Sequence, residues 1–240
     1  MTGFELRHTL TRHRRASRPP LAGLRPLPPE AARRLVNLVV ASAGLLLATP
    51  VMLVVAALIK LTSRGPVIYS QTRVGLDRRL PGEASTNHRR QEDRGGRLFT
   101  IYKFRTMDSG NGHGGGEVWA TKDDPRVTPL GRVLRRYRID ELPQFFNVLR
   151  GDMNVVGPRP EQPAIFLRLR AEVPGYQDRQ RVPPGITGWA QINQRYDSSI
   201  DDVRRKVALD LEYVSRQSVL EDLRILARTV PVVLLRKGGW

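Results

Sequence analysis

The stretch LVNLVVASAGLLLATPVMLVVAALI, residues 35–59, carries no charged side chain. As straight helix it is roughly 37 Å long at ~1.5 Å per residue, enough to cross a bilayer core of about 30 Å. A cleavable signal does not fit: the run is too long, starts too late, and no small-residue cleavage pattern follows it. One transmembrane helix is the plainest reading. Two features argue for another. Pro50, preceded by Thr49, falls just past the middle and removes a backbone hydrogen bond, leaving halves too short to span. The flanks are also alike in charge. Residues 1–34 carry eight Arg against Glu5 and Glu30, and residues 60–80 carry Lys60, Arg64, Arg73, Arg78 and Arg79 against Asp77. Positive flanks stay on the cytoplasmic side. The pattern therefore predicts a re-entrant membrane helix over 31–62, broken at Thr49-Pro50, with protein contacts satisfying the freed backbone groups.

The 240 residues have room for one ordinary domain plus appendages. The formal charge of +17 comes almost wholly from arginine, 35 Arg against 5 Lys, and a positive field of that size favours anionic partners. With no cysteine, disulfides and thiolate metal sites are excluded. The four histidines show no metal-ligand spacing, so a zinc enzyme is not expected. Residues 1–30, rich in Arg and Pro, read as a flexible basic arm. PVIYSQTRVG (66–75) and LFTIYKFRTM (98–107) read as strands. The segments 81–97 and 109–116 read as a solvent-exposed excursion and a mobile connector. Helices are expected at 128–138, 140–150 and 161–172. Two amphipathic helices follow at 200–216 and 219–236, the second able to pack on the domain or dock on a membrane surface.

The chemistry concentrates in RRYRIDELPQFFNVLRGDMNVVGPRPE, residues 135–161. Pro143 fits only the first turn of a helix, which places the helix start at or near Asp140. The positive end of the helix dipole and the surrounding guanidiniums are expected to keep Asp140 ionised, as a carboxylate nucleophile needs. Adjacent helix residues point about 100° apart, so Asp140 and Glu141 cannot be equivalent: one attacks or binds metal while the other orients or moves a proton. An Asp-Glu pair also starts many ordinary helices. Pro158 and Pro160 fix the backbone on both sides of Arg159, a setting suited to bidentate phosphate recognition. Lys103 and Arg105, two apart, would share one strand face.

YKFRTM, DDPRVTPLGRVLRRYRIDELPQFFNVLRGDMNVVGPRPE and VPPGITGWAQINQR, in this order, resemble the bacterial sugar transferases, the monotopic phosphoglycosyl transferase family. The resemblance covers about residues 31–236. It implies an α/β, mostly helical monotopic membrane protein: a re-entrant helix carrying a compact catalytic domain (63–236) with a short β-hairpin and amphipathic interfacial helices. The implied place is the cytoplasmic face of the bacterial inner membrane. The implied reaction moves a sugar 1-phosphate from a nucleotide diphosphate sugar, here a UDP-sugar, to a polyprenol phosphate, usually undecaprenyl phosphate, initiating glycan synthesis. By the same resemblance Asp140 is the nucleophile, forming a covalent phosphosugar intermediate, and Mg2+ is required. Asp140 and Glu141 are the catalytic and metal-binding candidates, with Glu141 as metal partner or proton handler. Arg135 and Arg159 are the implied phosphate binders, joined by Lys103, Arg105 and Arg195. Pro158, Pro160, Trp189 and Gln191 are candidates for the nucleotide or sugar pocket, with packing the alternative for Trp189. Partners are then the two substrates and membrane lipid, without nucleic acid, and a homodimer is left open. A competing class is a non-catalytic, membrane-tethered basic protein that grips anionic lipid or nucleic acid; it explains the charge and the anchor, but not the Asp-Glu pair or Arg159 locked between prolines.

Overall fold

The structure, a computed structural model, describes residues 30–79, 93–108, 124–194 and 199–234. The basic arm, most of the 81–97 excursion and the 109–116 connector therefore lie outside the described residues.

The apolar run forms the centre of one helix, α1 (Glu30–Thr62), which continues through Pro50. The break expected at Thr49-Pro50 is thus not an interruption of the helix. One missing ladder bond leaves the bonds on either side in place, and the Thr49 hydroxyl donates back to the Leu45 carbonyl at 2.7 Å. Helix α1 lies along the domain by one narrow face. Arg33, Asn37, Ala41, Val55 and Ile59 are buried, Gly44 and Met52 fall on the same stripe, and the spacing is that of a single helix side. Near its start, Ala41 packs with Phe99, Val148 and Met153. Near its end, Val55 and Ile59 pack with Phe104 and Leu134. The opposite face is apolar and bare: Leu46 and Leu47 are 76% and 78% exposed, and Leu53, Val54 and Leu61 are also exposed.

Polar clamps hold both ends of α1. Arg34 donates to the Val148 and Leu149 carbonyls at 2.6 and 2.7 Å, at the C-terminal end of the helix over Gln144–Arg150. Arg105 donates to the Ser63 and Arg64 carbonyls and to the Ser63 hydroxyl just past the end of α1.

Strands β1 (Ile68–Val74) and β2 (Leu98–Phe104) fall within the two stretches read as strands and pair antiparallel, with Ile68 opposite Phe104 and Val74 opposite Leu98, which is the short hairpin the resemblance implied. Helix α2 (Pro129–Arg136) starts with Pro129 in its first turn and with the Thr128 hydroxyl accepting from Gly131 N–H. Helix α3 (Gln144–Arg150) ends on Gly151, whose φ of 85° is left-handed. Two three-residue strands, β3 (Asn154–Val156) and β4 (Gly185–Thr187), pair in parallel, a feature the patterns did not predict. Helices α4 (Pro163–Glu172), α5 (Trp189–Asn193), α6 (Ile200–Arg216) and α7 (Val219–Leu234) complete the domain. Phe166, Leu169, Tyr176, Val203 and Val207 form one core cluster, and Val156, Val182, Tyr213, Val214 and Ile225 another.

Candidate active site

The acidic pair sits where the chain turns between α2 and α3. Arg138 takes φ 54° and ψ 22°, the one non-glycine residue of positive φ among the described residues. A left-handed arginine costs on the order of 1 kcal/mol and reverses the chain after α2. The following 3-10 turn, Ile139–Glu141, then points both carboxylates inward. They are 7% and 5% exposed for Asp140 and Glu141. The α-helix itself starts only at Gln144, with Pro143 as its N-cap. The helix start expected at Asp140 is therefore corrected by a few residues: the pair occupies a separate turn ahead of the helix, and the dipole acts on it less directly.

Glu141 is enclosed by cations from three elements. Its Oε1 accepts from Lys103 of β2 at 3.0 Å and from Arg159 at 2.9 Å, and its Oε2 accepts from Arg138 at 3.4 Å. Burial alone would raise its pKa, but Arg159, Lys103 and Arg138 outweigh it and hold the group well below the usual carboxylate range. Asp140 is different. Its carboxylate makes no hydrogen bond to the described residues, and burial pushes it up to about 6, against Lys103 and with help from the Glu141 charge. Guanidiniums were expected to dominate here; desolvation does. At neutral pH Asp140 is still mostly ionised, now as a more basic carboxylate.

The remaining candidates divide. Arg135 donates from Nε to the Thr106 hydroxyl at 2.9 Å, and its charge lowers the Asp140 pKa, as does that of Arg159. Arg105 does not join them. It lies past the end of β2 and is buried on Ser63 and Arg64, so it serves the end of α1. Lys103 and Arg105 thus part company, because the strand ends between them. Arg195 lies outside the described residues. Trp189 donates its indole N–H to Glu212 at 2.8 Å, with the guanidiniums of Arg216 and Arg228 5.2 and 5.5 Å from its ring centre. It ties α5 to α6 and α7, which is the packing alternative. Gln191 donates to the Ile186 carbonyl at 2.9 Å, while its buried Oε1 has no partner among the described residues.

Pro158, Arg159, Pro160 and Glu161 present four successive carbonyls, each held by a different donor. Pro158 O accepts from Gly185 N–H at 2.9 Å and Arg159 O from Arg179 at 3.0 Å. Pro160 O accepts from Arg73 at 3.2 Å and Glu161 O from Val74 N–H at 2.9 Å. Just before this segment the backbone crosses β4 so closely that a Cβ on Gly185 would collide with Gly157 N. Behind it Arg179, wholly buried, pairs with Asp210 at 2.7 Å, and Lys206 pairs with Glu161 at 2.7 Å. No sequence pattern pointed to these buried partners, because the residues of each pair are 31 and 45 positions apart.

A cavity of about 190 Å³ adjoins Glu141. Leu142, Phe145, Ile186, Ile192, Val232 and Val233 give it apolar walls, Thr187, Gln191 and Thr229 add polar atoms, and Tyr137, Arg138 and Glu141 close one side.

Among the described residues no three His, Asp or Glu side chains converge as a metal cage. Asp140 is an uncommitted carboxylate, whereas Glu141 already accepts from three cations. This donor set fits Mg2+, which is commonly held by one or two carboxylates together with substrate phosphate oxygens.

A family model described as bacterial sugar transferase matches residues 29–236. A UDP-N-acetylgalactosamine-undecaprenyl-phosphate N-acetylgalactosaminephosphotransferase of Aeromonas hydrophila is 41% identical over 207 residues, covering 86% of this chain and 44% of that protein. A UDP-glucose:undecaprenyl-phosphate glucose-1-phosphate transferase of Escherichia coli (strain K12) is 39% identical over 223 residues, 92% of this chain and 43% of that protein. A putative undecaprenyl-phosphate N-acetylgalactosaminyl 1-phosphate transferase of Bacillus subtilis (strain 168) is 42% identical over 168 residues, 70% of this chain and 79% of that protein. The chain spans less than half the length of the first two.

Proposed function

The chain belongs to the bacterial sugar transferase family, and from that premise we propose that it transfers a sugar 1-phosphate from a UDP-sugar to a polyprenol phosphate at a membrane. The names of its relatives support undecaprenyl phosphate as acceptor and a glucose or N-acetylgalactosamine donor. The observation that carries the mechanism is the unequal state of the acidic pair. Glu141 is saturated by Lys103, Arg138 and Arg159, while Asp140 is buried, basic and without a hydrogen-bond partner among the described residues.

In the first step an Asp140 carboxylate oxygen attacks the phosphorus bonded to the sugar. The bond from that phosphorus to the bridging oxygen breaks, and UMP leaves with the electron pair. In the second step a phosphate oxygen of the acceptor attacks the phosphosugar-aspartate, and Asp140 departs as carboxylate. Lys103, Arg135, Arg138 and Arg159 set four positive charges against two carboxylates. The two left over match the diphosphate charge and stabilise what develops in transit. Mg2+, which Asp140 would hold together with substrate oxygens, would supply Lewis-acid polarisation of the attacked phosphoryl group. Glu141 keeps Arg159 and Lys103 aimed until substrate arrives.

The membrane part of the reading rests on α1. Both ends of this helix touch the same domain, while its outer face is bare and apolar. A helix crossing a bilayer would carry one end away from a cytoplasmic domain. This supports a monotopic arrangement, with α1 seated on one face of the membrane rather than crossing it.

The test is to give detergent-extracted protein Mg2+ and a panel of UDP-sugars and follow UMP release. Intact-mass measurement should show a phosphosugar adduct on the wild type and none on Asp140→Asn. An adduct of normal yield on Asp140→Asn would move the nucleophile elsewhere, and no UMP release with any donor and acceptor would remove the transferase reading.

A further inference from the structure

We propose that the cavity beside Glu141 takes the phosphate-proximal isoprene units of the acceptor lipid, which gives the second substrate a seat separate from that of the first. The inference rests on the transfer proposed above and goes beyond it by assigning a site. Size comes first. At about 190 Å³ the cavity is smaller than the roughly 300 Å³ at which clefts for whole drug-sized ligands begin. A nucleotide sugar does not fit, but a short piece of hydrocarbon chain does.

The lining makes the same selection. Leu142, Phe145, Ile186, Ile192, Val232 and Val233 offer no strong donor or acceptor, the Thr187 and Thr229 hydroxyls bond to each other, and the Gln191 amide nitrogen is spent on the Ile186 carbonyl, so apart from Gln191 Oε1 the walls favour an apolar occupant. The polar side is not neutral: Arg138 and Glu141 stand there, and Glu141 brings Lys103 and Arg159 with it. An apolar slot ending on cations is complementary to an amphiphile with an anionic head. A polyprenol phosphate is such a molecule, and its phosphate would then stand near the residue adjoining Asp140.

Continuity with the membrane-facing surface is the third argument. Phe145, one wall of the cavity, packs its ring against Gly44 of α1, where an added Cβ would lie 2.7 Å from Cζ. The cavity is thus one side chain away from the helix whose outer face is bare and apolar. Val232 and Val233 belong to α7, which also exposes Leu220, Leu223 and Val230. A lipid tail entering between α1 and α7 would reach Glu141 past Phe145, Val232 and Val233, with Thr229 the polar residue that α7 adds to the lining.

The two half-reactions separate this site from the donor site. Val232→Trp and Ile192→Phe fill the cavity. Each should raise the KM for undecaprenyl phosphate at least tenfold, while the UMP burst without acceptor stays within about twofold of wild type. An unchanged acceptor KM with the burst intact would overturn the assignment. A diminished burst with unchanged acceptor KM would do so too, giving the cavity to the donor. Should a variant fold poorly, the wild type decides. A polyprenol phosphate with a diazirine on its first isoprene should label peptides within 186–192 and 219–234, and label confined to 30–62 would sink the proposal. A wild type without any UMP burst fails the transfer reading instead, and the photolabel still reports where the lipid sits.

Discussion

Asp140 and Glu141 are neighbours in the chain with opposite electrostatic fates. For Asp140 the folded pKa of about 6 lies above the ordinary 3.8. Activity that needs the carboxylate should therefore fall about tenfold per pH unit below pH 6, read as the acid limb of kcat/KM. Glu141→Gln removes a like charge that raises the Asp140 pKa, so that limb should move to lower pH. Stability runs the other way. A raised carboxyl pKa means that the fold binds the proton more tightly than the unfolded chain. The penalty is absent below 3.8, grows between 3.8 and about 6, and is complete above that. Asp140→Asn should thus abolish the adduct yet raise the thermal midpoint at pH 7, with no gain near pH 4. The sequence showed that the two acids must differ, from their angular offset on any helix. It could not show which would be caged, because that depends on the left-handed Arg138 and on Lys103 arriving from a strand 38 residues away.

At the scale of elements, periodicity and caps were legible where a segment decides its own structure. The 200–216 helix was read to the residue, since Ser199 caps Asp202 N–H and Asp201 and Asp202 fill the first turn. The short β3 and β4 were not legible; three residues carry no period, and their pairing depends on Gly157 and Gly185 passing at close range. The course of α1 through Pro50 was also missed, because the flanking turns are held by the domain rather than by the local sequence. That contact can be tested at Gly44. Gly44→Val would push a side chain into the Phe145 ring and should destabilise the domain by about 1–3 kcal/mol, seen as a lower midpoint in detergent. Ser42→Ala, on the exposed face, should leave it unchanged. Arg34→Ala should cost about 1–3 kcal/mol, because the Val148 and Leu149 carbonyls lose their charged donor at the end of α3.

For the whole molecule, the proposed monotopic arrangement requires both ends of α1 to face one side of the membrane. The chain has no cysteine, so Ala32→Cys and Arg64→Cys each give a single reporter. Both should react with a membrane-impermeant maleimide in inverted vesicles, and neither in intact cells. Labelling from opposite sides would make α1 a span. The four carbonyls at Pro158–Glu161 carry another consequence at this scale. Their donors come from β1, from the turn holding Arg179, and from β4, so segments far apart in the chain must all have arrived before Arg159 is set. A partly assembled chain would hold Asp140 without its phosphate clamp. Competence therefore comes late and all at once, and pieces of this polypeptide, however well each folds, should show no residual turnover until they are recombined.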